Sequence, residues 1–71
     1  MAEREPVTPS ERVEAGIRET LRTMRQGQPL PPVRTLADAY GVSTATVVKA
    51  MARIKADGLV VTRSGWGTFK A

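Results

Sequence analysis

Apolar residues recur along this chain at helical spacing in three stretches, and the polar residues between them fall on the opposite faces. Val13, Ile17, Leu21 and Met24 form one stripe at 3.6 residues per turn. Just ahead of them, Thr8-Pro9-Ser10-Glu11 has the form of a capping box: a hydroxyl N-cap, proline at the first helical position, and glutamate as the return partner. A first helix is expected from Thr8 to a stop at Gly27, with Arg12, Arg18, Glu19, Arg22 and Arg25 on the solvated side and Glu14 one turn before Arg18 as an ion pair. Gly16 inside it costs about 1 kcal/mol relative to alanine, which marks a place where another helix comes close. Gln28-Pro29-Leu30-Pro31-Pro32 then removes backbone donors and forces extended chain. A second helix follows from about Pro32 to Tyr40, with Val33, Leu36, Ala37 and Tyr40 inward and Arg34, Thr35 and Asp38 outward.

Gly41-Val42-Ser43 supplies a left-handed helix end and a serine N-cap. The third helix is expected from Thr44 to Asp57, with Val47, Ala50, Met51 and Ile54 buried and Gly58 as its break. Leu59–Thr62 and Thr68–Lys70 read as two short strands around the tip Arg63-Ser64-Gly65-Trp66-Gly67. The expected fold is mainly α with a small β-hairpin, a winged helix-turn-helix of three helices plus a two-stranded wing. Residues 8–71 form the domain and residues 1–7 a flexible lead-in. A chain of 71 residues buries only about 60% of its unfolded surface, so one domain is expected. With no cysteine, no disulfide or thiolate zinc site supplements its aliphatic core. No apolar run approaches the ~20 residues of a membrane span, and the first nine residues do not form a basic-then-apolar leader; a cytoplasmic protein is expected.

Charge adds a direction to this picture. Arg4, Arg12, Arg18, Arg22 and Arg25 are balanced by Glu3, Glu5, Glu11, Glu14 and Glu19. Arg34, Lys49, Arg53, Lys55, Arg63 and Lys70 face only Asp38 and Asp57, so the whole net charge of +4 lies beyond residue 27. A basic surface of this kind suits a polyanion. Catalysis is not expected: there is no histidine or cysteine, the carboxylates are scattered, and Gly65-Trp66-Gly67 lacks the lysine and following helix of a phosphate-binding loop. No cofactor or metal is implied.

Two short helices joined by a glycine-containing turn make a helix-turn-helix unit, whose second helix can enter a DNA major groove. At 100° per residue, Ala45, Lys49, Ala52 and Ala56 lie opposite the core on the third helix, flanked by Val48 on one side and Thr46 and Arg53 on the other. Small residues let a helix backbone approach base pairs, alanine and valine can meet a thymine methyl, and threonine can reach phosphate or base. The plain alternative is an exposed helix face filled with good helix formers.

The stretches Leu30-Pro31-Pro32-Val33-Arg34-Thr35-Leu36-Ala37, Gly41-Val42-Ser43 with Thr46-Val47, Asp57-Gly58-Leu59-Val60 and Gly65-Trp66-Gly67-Thr68-Phe69, in that order, resemble the DNA-binding domain of GntR-family regulators. The resemblance implies a bacterial transcription regulator, of repressor type, that reads double-stranded DNA with helix 43–57 in the major groove and wing 63–68 at the minor groove. It implies that Arg34 contacts DNA. It also departs from the family pattern: Thr44 and Val48 stand where relatives carry arginines, which removes two guanine readers. The implied DNA-binding set is Arg34, Ser43, Thr44, Ala45, Thr46, Val48, Lys49, Arg53, Gly65, Trp66 and Gly67. Trp66, at a position often basic in relatives, has two readings: an exposed indole for sugar rings or a partner, or one folded back on the helices. A winged-helix module for protein or RNA is the rival function. The isolated chain is expected to be a monomer, pairing on a palindromic operator or through the C-terminal domain such relatives carry.

Overall fold

The computed structural model describes residues 8–71, and the expected flexible lead-in of residues 1–7 lies outside the described residues. Its elements are α1 (Pro9–Arg22), α2 (Val33–Tyr40), α3 (Thr44–Ala56), β1 (Val60–Arg63) and β2 (Gly67–Lys70). Three helices and an antiparallel hairpin are the winged helix-turn-helix that the pattern predicts.

Both halves of the capping box form: the Glu11 N–H donates to Thr8 Oγ1 at 3.1 Å, and the Thr8 N–H donates to Glu11 Oε1 at 3.3 Å. The far end of α1 differs from expectation. The helix stops at Arg22, where the Thr23 hydroxyl and N–H both turn back to the Thr20 carbonyl. Gly27 serves another purpose, because its N–H donates to the Lys70 carbonyl at 2.8 Å. The Lys70 N–H in turn donates to Gln28 and the Leu30 N–H to Thr68, each at 2.8 Å, so Pro29 lies opposite Phe69 and the proline-rich link is an edge strand on β2. These two bonds bracket Pro29 and leave its donorless nitrogen on the open edge, where proline is tolerated.

The hairpin register pairs Val60 with Lys70 and Arg63 with Gly67. β1 starts one residue later than expected because the Leu59 N–H still reaches back to the Ile54 carbonyl to close α3. Between α2 and α3, Gly41 adopts φ 68°, a left-handed value that costs side-chain-bearing residues dearly. That turn lets the Val42 N–H donate to the Ala37 carbonyl at 3.0 Å and start the next helix within three residues.

The core draws on every helix: Val13, Ile17 and Leu21 from α1, Leu36 and Ala37 from α2, Val47, Ala50 and Ile54 from α3, and Val60 from β1. Met51, expected in the buried stripe, is only half-buried; it sits at the stripe's margin, beside the base of the wing. Among the described residues no helix is long and apolar enough to cross a membrane.

Gly16 marks the close approach that its sequence position suggested. A Cβ built there would overlap the Tyr40 hydroxyl and lie 2.9 Å from its Cε1. Gly16→Ala should therefore lose on the order of 1 kcal/mol net, since overpacking of roughly 2 kcal/mol against the Tyr40 ring exceeds the helix-propensity gain of about 1 kcal/mol. In a Tyr40→Ala background the same change should stabilise. Urea unfolding of the four variants measures this, and an equal effect in both backgrounds would remove Tyr40 as the cause.

Candidate nucleic-acid interface

The rotation of α3 about its own axis is set from inside. Val47, Ala50 and Ile54 are each 0% exposed, so the helix turns its other side to water: Ala45, Val48, Lys49, Ala52 and Ala56 are all exposed, Val48 by 55%. This outward face carries a single cation at its centre and otherwise small or short side chains. Nothing covers it in the described structure, and its backbone is thinly clothed.

At the helix start, Ser43 Oγ accepts the Thr46 N–H at 3.2 Å and lies 2.9 Å from Thr46 Oγ1. Both hydroxyls are thus held in place by the cap, with hydrogen-bonding capacity left over. Thr44 and Ala45, beside them, are exposed. Arg34 is the second residue of α2, whose N-cap Pro32 offers no side-chain hydrogen bond and whose first turn holds no acid. A guanidinium there is opposed by the helix dipole. Neither Arg34 nor Lys49 makes a side-chain hydrogen bond or ion pair among the described residues.

Arg53 is placed differently from the rest of the set. Its Nη1 lies 3.7 Å from Glu14 Oε1 on α1. Glu14 also meets Arg18 at 2.7 Å, and Arg18 Nη2 reaches Asp57 Oδ2 at 2.6 Å. Sequence spacing anticipated the Glu14–Arg18 pair, but Asp57 is 39 positions away and gave no signal. Arg18, expected on the solvated side, is in fact half-buried and ties α1 to the end of α3. Hydrogen bonds to Asp57 first and Glu14 second hold its pKa above the usual arginine value, so it stays charged at every accessible pH.

The wing stands on the other flank of α3. Its tip closes through the Trp66 N–H to the Arg63 carbonyl at 2.9 Å, with Gly65 at φ 79°, the conformation that the third position of a type II turn demands. Trp66 is 80% exposed, which decides between its two readings in favour of the outward indole. A groove joins it to α3, lined by Pro31, Leu36, Val48, Met51, Trp66 and Thr68 among others, and no charged side chain contributes to the lining. Met51, expected only in the core stripe, also lines this groove, and its place at the edge of the stripe is the one signal of that in the sequence.

The family model described as bacterial regulatory proteins, gntR family, matches residues 9–69. The AraR DBD solved in complex with operator ORR3 is 25% identical over 100% of this chain and 88% of its own, with a TM-score of 0.88. The NTD of AraR in complex with mutant ORR3 is 27% identical over 92% of this chain and 96% of that one, with a TM-score of 0.87. PhnF from Mycobacterium smegmatis is 36% identical over 83% of this chain, with a TM-score of 0.77, and this chain spans 26% of PhnF.

The Arg18 link yields a direct check. Arg18→Ala should cost up to about 1 kcal/mol of stability at low salt, the range of exposed ion-pair networks. In molar salt most of that difference should vanish through screening. Thermal unfolding at both ionic strengths measures it; an undiminished difference would assign the loss to packing of the side-chain stem.

Proposed function

The chain belongs to the gntR family of bacterial regulatory proteins, and from that premise we propose that it reads operator DNA for a transcription regulator, of repressor type, in the bacterial cytoplasm. The observation that carries this reading is the AraR DBD, which has the same fold over the full length of this chain and was solved on an operator. The same kinship supports a binding role rather than catalysis. This chain spans 26% of PhnF, and effector binding and dimerisation lie outside the present proposal.

In this reading α3 enters the major groove with the face formed by Thr44, Ala45, Val48, Lys49 and Ala52. Ala45 and Ala52 let the backbone come close, Val48 offers its methyls to thymine, and Lys49 supplies the charge. Ser43 and Thr46 present hydroxyls at the groove edge. Arg34, with the uncapped N-terminus of α2 behind it, takes a backbone phosphate. Gly65, Trp66 and Gly67 reach the adjacent minor groove. Arg53 contributes through long-range charge while it leans on Glu14. One copy covers one half of a palindromic site, and the free chain is a monomer.

The test is a titration of duplex DNA with the chain and its variants across a range of salt. Affinity should fall steeply with salt, with a log–log slope of about −0.9 for each phosphate neutralised. Ala45→Glu and Ala52→Glu should abolish binding with the thermal midpoint unchanged, and Arg34→Ala should weaken it by about 1–3 kcal/mol. Full affinity in either glutamate variant would remove α3 as the reader, and preference for duplex RNA or for no nucleic acid would favour the rival module.

A further inference from the structure

Trp66 is the largest apolar side chain left in water, 80% exposed, and the only tryptophan in the chain. Its surroundings say what it can meet. Its immediate neighbours Ser64, Gly65, Gly67 and Thr68 are uncharged, the nearest cation, Arg63, stands at the base of the turn, and the groove between the indole and α3 is lined by Pro31, Val48 and Met51 with no cation. A phosphate brought against the indole and this groove would lose its water without gaining a partner there, while Arg63 is left to the strand beside it. The complementary surface is therefore apolar. With α3 in a major groove, the wing tip beside it lies across one sugar–phosphate strand from the next minor groove. There the apolar surfaces are sugar rings and base faces.

The backbone favours deep entry. Gly65 and Gly67 flank the indole at φ 79° and 113°, and neither adds a side chain to the width of the tip. The minor groove is only about 6 Å wide, enough for a thin plate of this kind. No hydrogen bond to the described residues holds the indole in its present position. Large apolar side chains presented to the minor groove act as wedges, partly unstacking a base step and bending the duplex toward the major groove. Pyrimidine–purine steps yield to this most easily.

We propose that Trp66 is a minor-groove wedge: its indole enters between base pairs beside the half-site read by α3, so that the wing selects a deformable step by unstacking it. This rests on the DNA-reading function above. It gives the domain a source of sequence preference that compensates for Thr44 and Val48, neither of which can read guanine bidentately.

The experiment uses the whole chain and a pool of randomised duplexes. Duplexes enriched by the wild type should carry a pyrimidine–purine step at a fixed distance from the half-site, and circular-permutation gels should show them bent on binding. The single tryptophan reports on itself, and its emission should be quenched on these duplexes. Trp66→Ala should melt like the wild type, bind the enriched duplexes about tenfold more weakly, and neither bend them nor select the step. Trp66→Phe should retain most of all three properties, whereas Trp66→Arg should restore affinity with a salt slope steeper by about 0.9 and no step preference. Unchanged emission, or a Trp66→Ala variant with wild-type affinity and motif, would overturn the wedge while DNA reading stands. Quenching without bending or step preference would also overturn it, placing the indole on sugar rings. Failure of the wild type to bind any duplex would instead overturn DNA reading, and the wedge with it.

Discussion

Everything this domain offers to a partner depends on the burial of one face of α3. Val47, Ala50 and Ile54 lose all contact with water against α1, α2 and β1. A helix pinned along one stripe has no freedom to roll, and its opposite stripe is thereby fixed in space. Full burial of Val47 and of Ile54 stabilises by about 1.5–3 kcal/mol each, in a domain whose whole stability is on the order of 0.1 kcal/mol per residue. Aiming the helix and folding the chain are therefore the same event. The Arg18 link to Asp57 and Glu14 adds a smaller constraint at the far end of the same helix.

The second constraint fixes the wing. A two-stranded hairpin alone is marginal in water, yet this one is joined on its β2 side by the link from α1, through three backbone hydrogen bonds of 2.8 Å. The link also delivers Pro31 and Pro32 to the start of α2. The segment that breaks the helical pattern is thus the part that joins helix bundle to wing, and it sets the distance between α3 and Trp66. An apolar groove occupies that space, so the two parts of the proposed interface differ in chemistry: a thinly clothed helix face centred on Lys49, and a tip with an indole.

The capping box, the serine cap, the three-residue turn and the exposed face of α3 were legible because each depends on residues within one or two helical turns of each other. Boundaries that depend on distant partners were not. Gly27 looked like a helix stop, and only its bond to Lys70 reveals its use. The Arg18–Asp57 contact joins residues with no local pattern to connect them. Arg53 flanks the exposed face of α3 by angle, but angle alone says nothing of Glu14 on another helix. For Trp66 both readings are open in the sequence, since a Gly-Trp-Gly tip is equally compatible with an indole turned in or out; the fold decides it by holding the ring at the rim of the groove, 80% exposed.

The proposed DNA-binding surface is the face of α3 opposite the core, with Arg34 on one side and the wing tip on the other. Backbone amide resonances of the chain, followed during titration with duplex DNA, test it residue by residue. The largest changes should fall at residues 43–52, at Arg34 and at residues 64–67, while the exposed face of α1 around Arg12 and Glu19 stays unchanged. Changes concentrated on α1, or on the outer face of the hairpin around Val61 with α3 silent, would contradict it.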